Sequence, residues 1–112
     1  MKHKIVLVPF PFDDLSSKKV RPAICLTGEI KPYNHIVLAF ITSRILLSPE
    51  TTDFVIDTKD ADFAKTGLKV SSMIRLHRLI TVSKSIILRE LGELPNLMKP
   101  KIERKLKDLF EL

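Results

Sequence analysis

The chain has 112 residues, enough for one packed core and too few for two. Its 45% hydrophobic and 29% charged residues exclude a disordered, tail-like protein. Nineteen Lys and Arg against thirteen Asp and Glu leave a formal charge of +6, which favours a polyanionic partner because each neutralised phosphate releases counterions.

Ile5 to Val8 is the first expected strand. Pro9 and Pro11 follow it and Asp13-Asp14 end the apolar run, so the segment reads as a strand and not as a targeting sequence. The stretch from Phe12 to Val20 is an expected loop, and its centre, Asp13-Asp14-Leu15-Ser16-Ser17-Lys18-Lys19, is small and polar enough to be the mobile element. Ala23 to Thr27 is the second strand, with Pro22 marking a strand end, edge or bulge because it has no amide proton for a central ladder. Cys25 within it, the single cysteine, excludes an intrachain disulfide and reads as a small buried hydrophobe. Ile36 to Thr42 and Phe54 to Asp57 are the next strands, separated by a break at Ser48 to Asp53. Asp60 to Lys65 can form one helical turn before Gly67, and Ser72 to Val82 and Ile86 to Leu91 complete the strands. After Pro95, Ile102, Leu106, Leu109 and Phe110 recur at helical spacing with Pro100 in the first turn, the pattern of an amphipathic helix laid on a β core. Glu103, four residues before Lys107, is oriented for a favourable surface pair.

Several chemistries lack sequence support. The three glycines form no phosphate-cradling loop and no Cys/His set has zinc spacing, so no cofactor and no metal are expected. No run of about eighteen apolar residues could span a membrane as a helix. A reducing, cytoplasmic setting is the expectation.

The opening Ile5-Val6-Leu7-Val8-Pro9-Phe10-Pro11-Phe12-Asp13-Asp14-Leu15, followed by Arg21-Pro22-Ala23, resembles the start of the MazF/PemK family of toxins. Ile41-Thr42-Ser43 resembles the family's strand end carrying a hydroxyl, and Ser71-Ser72-Met73-Ile74-Arg75 with Arg78, Thr81 and Lys84 resembles its later hairpin. Leu91-Gly92-Glu93-Leu94 and the final helix complete the order, with Leu46 to Lys69 the least diagnostic part. The resemblance implies a mainly β fold, a small SH3-like β-barrel with a C-terminal amphipathic α-helix, as one toxin domain over residues 1–112. It also implies a homodimer that is restrained by a cognate antitoxin protein and cuts single-stranded RNA without a metal. In that reaction the ribose 2′-OH attacks the adjacent phosphorus, leaving a 2′,3′-cyclic phosphate and a 5′-OH.

By the same resemblance Arg21 matches the family's Arg-Pro arginine and Thr42 its strand-end threonine. Cleavage places extra negative charge on phosphate oxygens, which a guanidinium fork stabilises and a hydroxyl can meet with a hydrogen bond. Family members can carry Arg-x-Asp in the later strand, whereas this chain has Arg75-Leu76-His77. Period-two alternation puts His77 on the face of Arg75, opposite Ile74, Leu76 and Ile80. Histidine titrates near neutrality, so His77 is a candidate general base, or else an RNA contact that sets sequence preference. Ser16, Ser17, Lys18, Lys19, Ser43, Arg75 and Arg78 are the candidate RNA-binding residues, with the basic ones forming one zone if the first loop folds over the later hairpin. Phe10 and Phe12 could stack bases, but their alternation with Val6 and Val8 favours core packing.

Two other functions compete with the ribonuclease. CcdB-like toxins, which bind gyrase, carry a tryptophan near their end, whereas this chain has no Trp and finishes Leu109-Phe110-Glu111-Leu112. A non-catalytic RNA-binding barrel would use the same arginines and stays open.

Overall fold

The computed structural model describes residues 1–9 and 19–112, with six strands in one antiparallel sheet. They are β1 (Lys4–Pro9), β2 (Val20–Cys25), β3 (His35–Thr42), β4 (Asp53–Ile56), β5 (Ser72–Ser83) and β6 (Arg89–Glu93), followed by the helix α1 (Lys99–Leu109). In space the order is β4-β5-β3-β2-β1-β6, and the sheet curls into a half-barrel. The expected mainly β fold with a terminal helix is the one found. Phe10, Phe12, Ser16, Ser17 and Lys18, with most of the expected first loop, lie outside the described residues.

The last strand starts later than the apolar run Ile86 to Leu91 suggested. Ser83 turns its hydroxyl oxygen to the amide of Ser85 and caps a 3-10 turn over Lys84–Ile86. Those residues spend their backbone on the turn, and pairing with β1 begins at Leu7↔Arg89.

Alternation along the central strands gives both faces of the sheet something to bury. Ile5, Ile24, Ala39, Ile41, Ile56, Ile74 and Leu76 form the core on one face, closed by Leu94, Met98 and Ile102 from the C-terminal segment. Val6, Val8, Ala23, Cys25, Ile36 and Leu38 form a second cluster on the other face, with Phe40, Ile80 and Val82 packed against it. Cys25 is fully buried, and burial pushes its thiol up to about 11, as its apolar setting implied.

Two glycines let β6 meet the 3-10 turn Phe63–Thr66 backbone to backbone. Gly67 ends that turn at φ +72°, a conformation open to glycine, and a Cβ there would sit 2.0 Å from the Leu91 carbonyl oxygen. A Cβ on Gly92 would sit 2.2 Å from the Lys65 carbonyl oxygen. On α1 the buried Ile102 and half-buried Leu106 face the core. Glu103 does not take Lys107 as its partner: its carboxylate reaches Lys2 at 3.3 Å, because the N-terminal segment runs beside this face of the helix.

Candidate functional site

The site begins with a missing hydrogen-bond donor. β2 pairs with β1 from Val20 through Ile24, but its ladder with β3 runs only from Cys25↔Leu38 to Ala23↔Phe40. Pro22, the next residue, has no amide proton to continue that ladder. Beyond it the two strands part, and an open groove of about 570 Å³ lies there. Arg21 and Lys19 come to it from β2 and the residue before it, and Phe40, Ile41 and Thr42 from β3. Ser43, Arg44 and Leu46 continue the wall past the strand end.

The far wall comes from β5 and depends on a bulge. Ala39 pairs with Leu79 but the next residue, Phe40, pairs with Arg75, so Leu76, His77 and Arg78 are extra on the β5 side. The core records the resulting change of phase. Ile74, Leu76 and Leu79 pack on the first cluster, whereas Ile80 and Val82 pack on the second. Arg75 and Arg78, three residues apart, therefore both line the groove.

Alternation puts His77 on the face of Arg75, opposite Ile74 and Leu76, which pack together on the first cluster. His77 does not line the groove; its Nδ1 lies 3.0 Å from the Thr52 hydroxyl, and its side chain is exposed. Arg75 has a carboxylate partner, but from another strand. Asp53 opens β4 directly opposite Arg75, and its Oδ1 accepts from Arg75 Nε at 3.1 Å. The Asp53 side chain is 0% exposed, and its Oδ2 accepts the Glu50 amide at 2.8 Å.

Of the residues singled out from sequence, Lys19, Arg21, Thr42, Ser43, Arg75 and Arg78 share this groove. They meet because β3 lies between β2 and β5, which brings residues about fifty apart in sequence to one face. Phe40, Arg44, Leu46 and Asp53 were missed. Arg44 had a signal, an arginine directly after the strand-end Thr42-Ser43, while Asp53 had none short of the β4-β5 register.

Among the described residues that line it, Lys19, Arg21, Arg44, Arg75 and Arg78 are basic and none is acidic. The Thr42 hydroxyl oxygen accepts the Arg44 amide at 3.1 Å, which leaves its proton for donation into the groove. Guanidinium forks and a hydroxyl donor around an open, polar-walled trough suit a phosphodiester backbone. Among the described residues no three His, Cys, Asp or Glu side chains gather as metal ligands. No described helix is long and apolar enough to cross a membrane.

The profile of the PemK-like, MazF-like toxins of type II toxin-antitoxin systems matches residues 2–110. Among solved structures, the Mycobacterium tuberculosis toxin MazF-mt6 is similar at 20% identity, with 97% of each chain covered and a TM-score of 0.74. An endoribonuclease from a mycobacterial species, solved in complex with its cognate antitoxin, is 13% identical over 100% of this chain and 95% of its own, with a TM-score of 0.75. At these identities the likeness shows a shared fold. Among curated proteins no significant sequence match is found.

Proposed function

Because the chain belongs to the PemK-like, MazF-like toxins of type II toxin-antitoxin systems, we propose that it is an endoribonuclease toxin that cuts single-stranded RNA at short sequences without a metal ion. One observation carries the reading: the groove where β2 and β3 part gathers Lys19, Arg21, Arg44, Arg75 and Arg78 around the Thr42 hydroxyl, with no carboxylate among the described residues of its lining. In the proposed reaction the 2′-oxygen attacks the neighbouring phosphorus as its proton is lost. The bond from phosphorus to the 5′-oxygen breaks, and that oxygen takes up a proton. The products are a 2′,3′-cyclic phosphate and a 5′-OH.

Negative charge grows on the non-bridging phosphate oxygens along this path, so fixed cations stabilise the transition state more than the ground state. Arg21 is the first choice for that role, with Thr42 as a neutral donor beside it. Arg75, Arg78, Lys19, Arg44 and Ser43 hold the flanking phosphates. Arginine keeps its proton at any working pH, so these residues stabilise charge and orient the strand rather than accept the 2′ proton. His77 has no part in proton transfer in this reading, since it faces Thr52 outside the groove.

The partner reading follows the same electrostatics. An antitoxin with an acidic segment would cover the cationic groove and order on binding, and the toxin would act as a homodimer. The test is to incubate the purified protein in EDTA with a long RNA and with single-stranded DNA of the same sequence. Cleavage of the RNA alone is expected. Binding of both strands without cleavage would favour the non-catalytic binder, and neither binding nor cleavage would remove RNA as the substrate.

A further inference from the structure

We infer that Asp53 is a positioning residue that fixes the Arg75 guanidinium end-on, so that its two terminal nitrogens are presented to the RNA in the groove. The inference rests on the ribonuclease reading above and adds to it a residue outside the groove. Asp53 does not line the groove, so whatever it does there passes through Arg75. Its Oδ1 takes Arg75 Nε at 3.1 Å, which uses the one guanidinium nitrogen that faces back along the side chain.

The carboxylate is itself held. Oδ2 accepts the Glu50 amide at 2.8 Å, and the Asp53 amide returns to the Glu50 carbonyl at 3.0 Å, closing a tight turn. That turn is fastened to its surroundings at three further points. Thr52 takes the Leu76 amide on its carbonyl at 3.0 Å, the Thr52 hydroxyl meets His77 Nδ1 at 3.0 Å, and Lys105 Nζ from α1 donates to the Thr51 carbonyl at 2.7 Å. Two of these fastenings grip the first residues of the β5 bulge, so the turn fixes both the head of Arg75 and the backbone beside it.

Stability alone does not account for a side chain so placed. A carboxylate with no exposed surface gives up its hydration, and such pairs commonly break even against apolar replacements. An arginine left to swing in an open trough would have to be ordered anew at each encounter with RNA. One locked in advance loses little freedom on binding.

The test uses the whole protein and a fluorogenic RNA carrying a mapped cut site. Both Asp53 oxygens accept from N–H groups, and an amide offers only one oxygen, so Asp53→Asn must turn its NH₂ against either Arg75 or the Glu50 amide. With fold verified by circular dichroism, kcat is expected to fall by about tenfold to a hundredfold while KM changes by less than about threefold. In an Arg75→Gln background the same Asp53→Asn change should cost nothing further, because its target is gone. A folded Asp53→Asn variant with wild-type kcat, or an equal loss in both backgrounds, overturns the inference. If Asp53→Asn does not fold, Arg75→Lys decides. Its single ammonium is occupied by Asp53, so it should be as impaired as Arg75→Gln, and wild-type kcat in Arg75→Lys overturns the inference instead. Failure of the wild-type protein to cut any RNA would sink the functional reading and this inference with it, an outcome distinct from all of these.

Discussion

Replacing Arg21 with alanine removes the cation nearest the point where β2 and β3 part. The backbone there is held through the Val8↔Arg21 pairing to β1, which the substitution leaves in place. The side chain is only half-buried, so its loss should cost about 1 kcal/mol of stability or less, a shift of no more than roughly 5 °C in Tm. Catalysis should suffer far more. Loss of one donor aimed at developing oxyanion charge typically costs on the order of 10²–10³ in rate, or about 3–4 kcal/mol of transition-state stabilisation. Binding should weaken by a separate, salt-dependent amount. One phosphate contact fewer lowers the slope of log K against log salt by about 0.7 for a single strand. Single-turnover cleavage of a long RNA and anisotropy titrations at several salt concentrations measure the two effects independently. A folded Arg21→Ala variant that cuts at the wild-type rate would refute the assignment of the groove as the cutting site.

Thr42→Val should slow cleavage by about tenfold, less than the loss of Arg21, because water can replace a neutral donor more readily; an unchanged single-turnover rate would remove Thr42 from the site. His77→Ala should leave the pH profile of cleavage unaltered, as the residue lies with Thr52 outside the groove; disappearance of a titration near neutrality would restore it as the base. Gly92→Ala should destabilise the fold by about 2 kcal/mol or more, since its Cβ would meet the Lys65 carbonyl oxygen at 2.2 Å, and a thermal melt matching wild type would contradict that packing. The Cys25 thiol, buried and raised to about 11, should resist alkylation at pH 8 until denaturant is added, and fast labelling of the native protein would place it elsewhere.

The parts of this molecule that could be read from sequence are those that obey one period. Ile5 to Val8, Ile36 to Thr42 and the helical spacing of Ile102 and Leu106 each bury a face, and the structure puts a strand or helix at each. Arg21 and Thr42 lie on different strands and line one groove. The failures arise where a second strand sets the geometry. Nothing in Arg75-Leu76-His77-Arg78 announces a bulge; it exists because Phe40 pairs with Arg75 while Ala39 pairs with Leu79. That exchange of phase lets Arg78 line the groove with Arg75, three residues away, while His77 meets Thr52. Asp53 was invisible for the same reason, since an acidic residue at a strand start gains meaning only from the register that sets it opposite Arg75.

In the proposed reaction this cationic groove cleaves RNA through the 2′-oxygen. Mapping the ends of RNA cut by the purified protein in the presence of EDTA tests it most directly. Fragments carrying a 2′,3′-cyclic phosphate on one side and a 5′-OH on the other are predicted, whereas 5′-phosphate ends, or cleavage that EDTA abolishes, would contradict it.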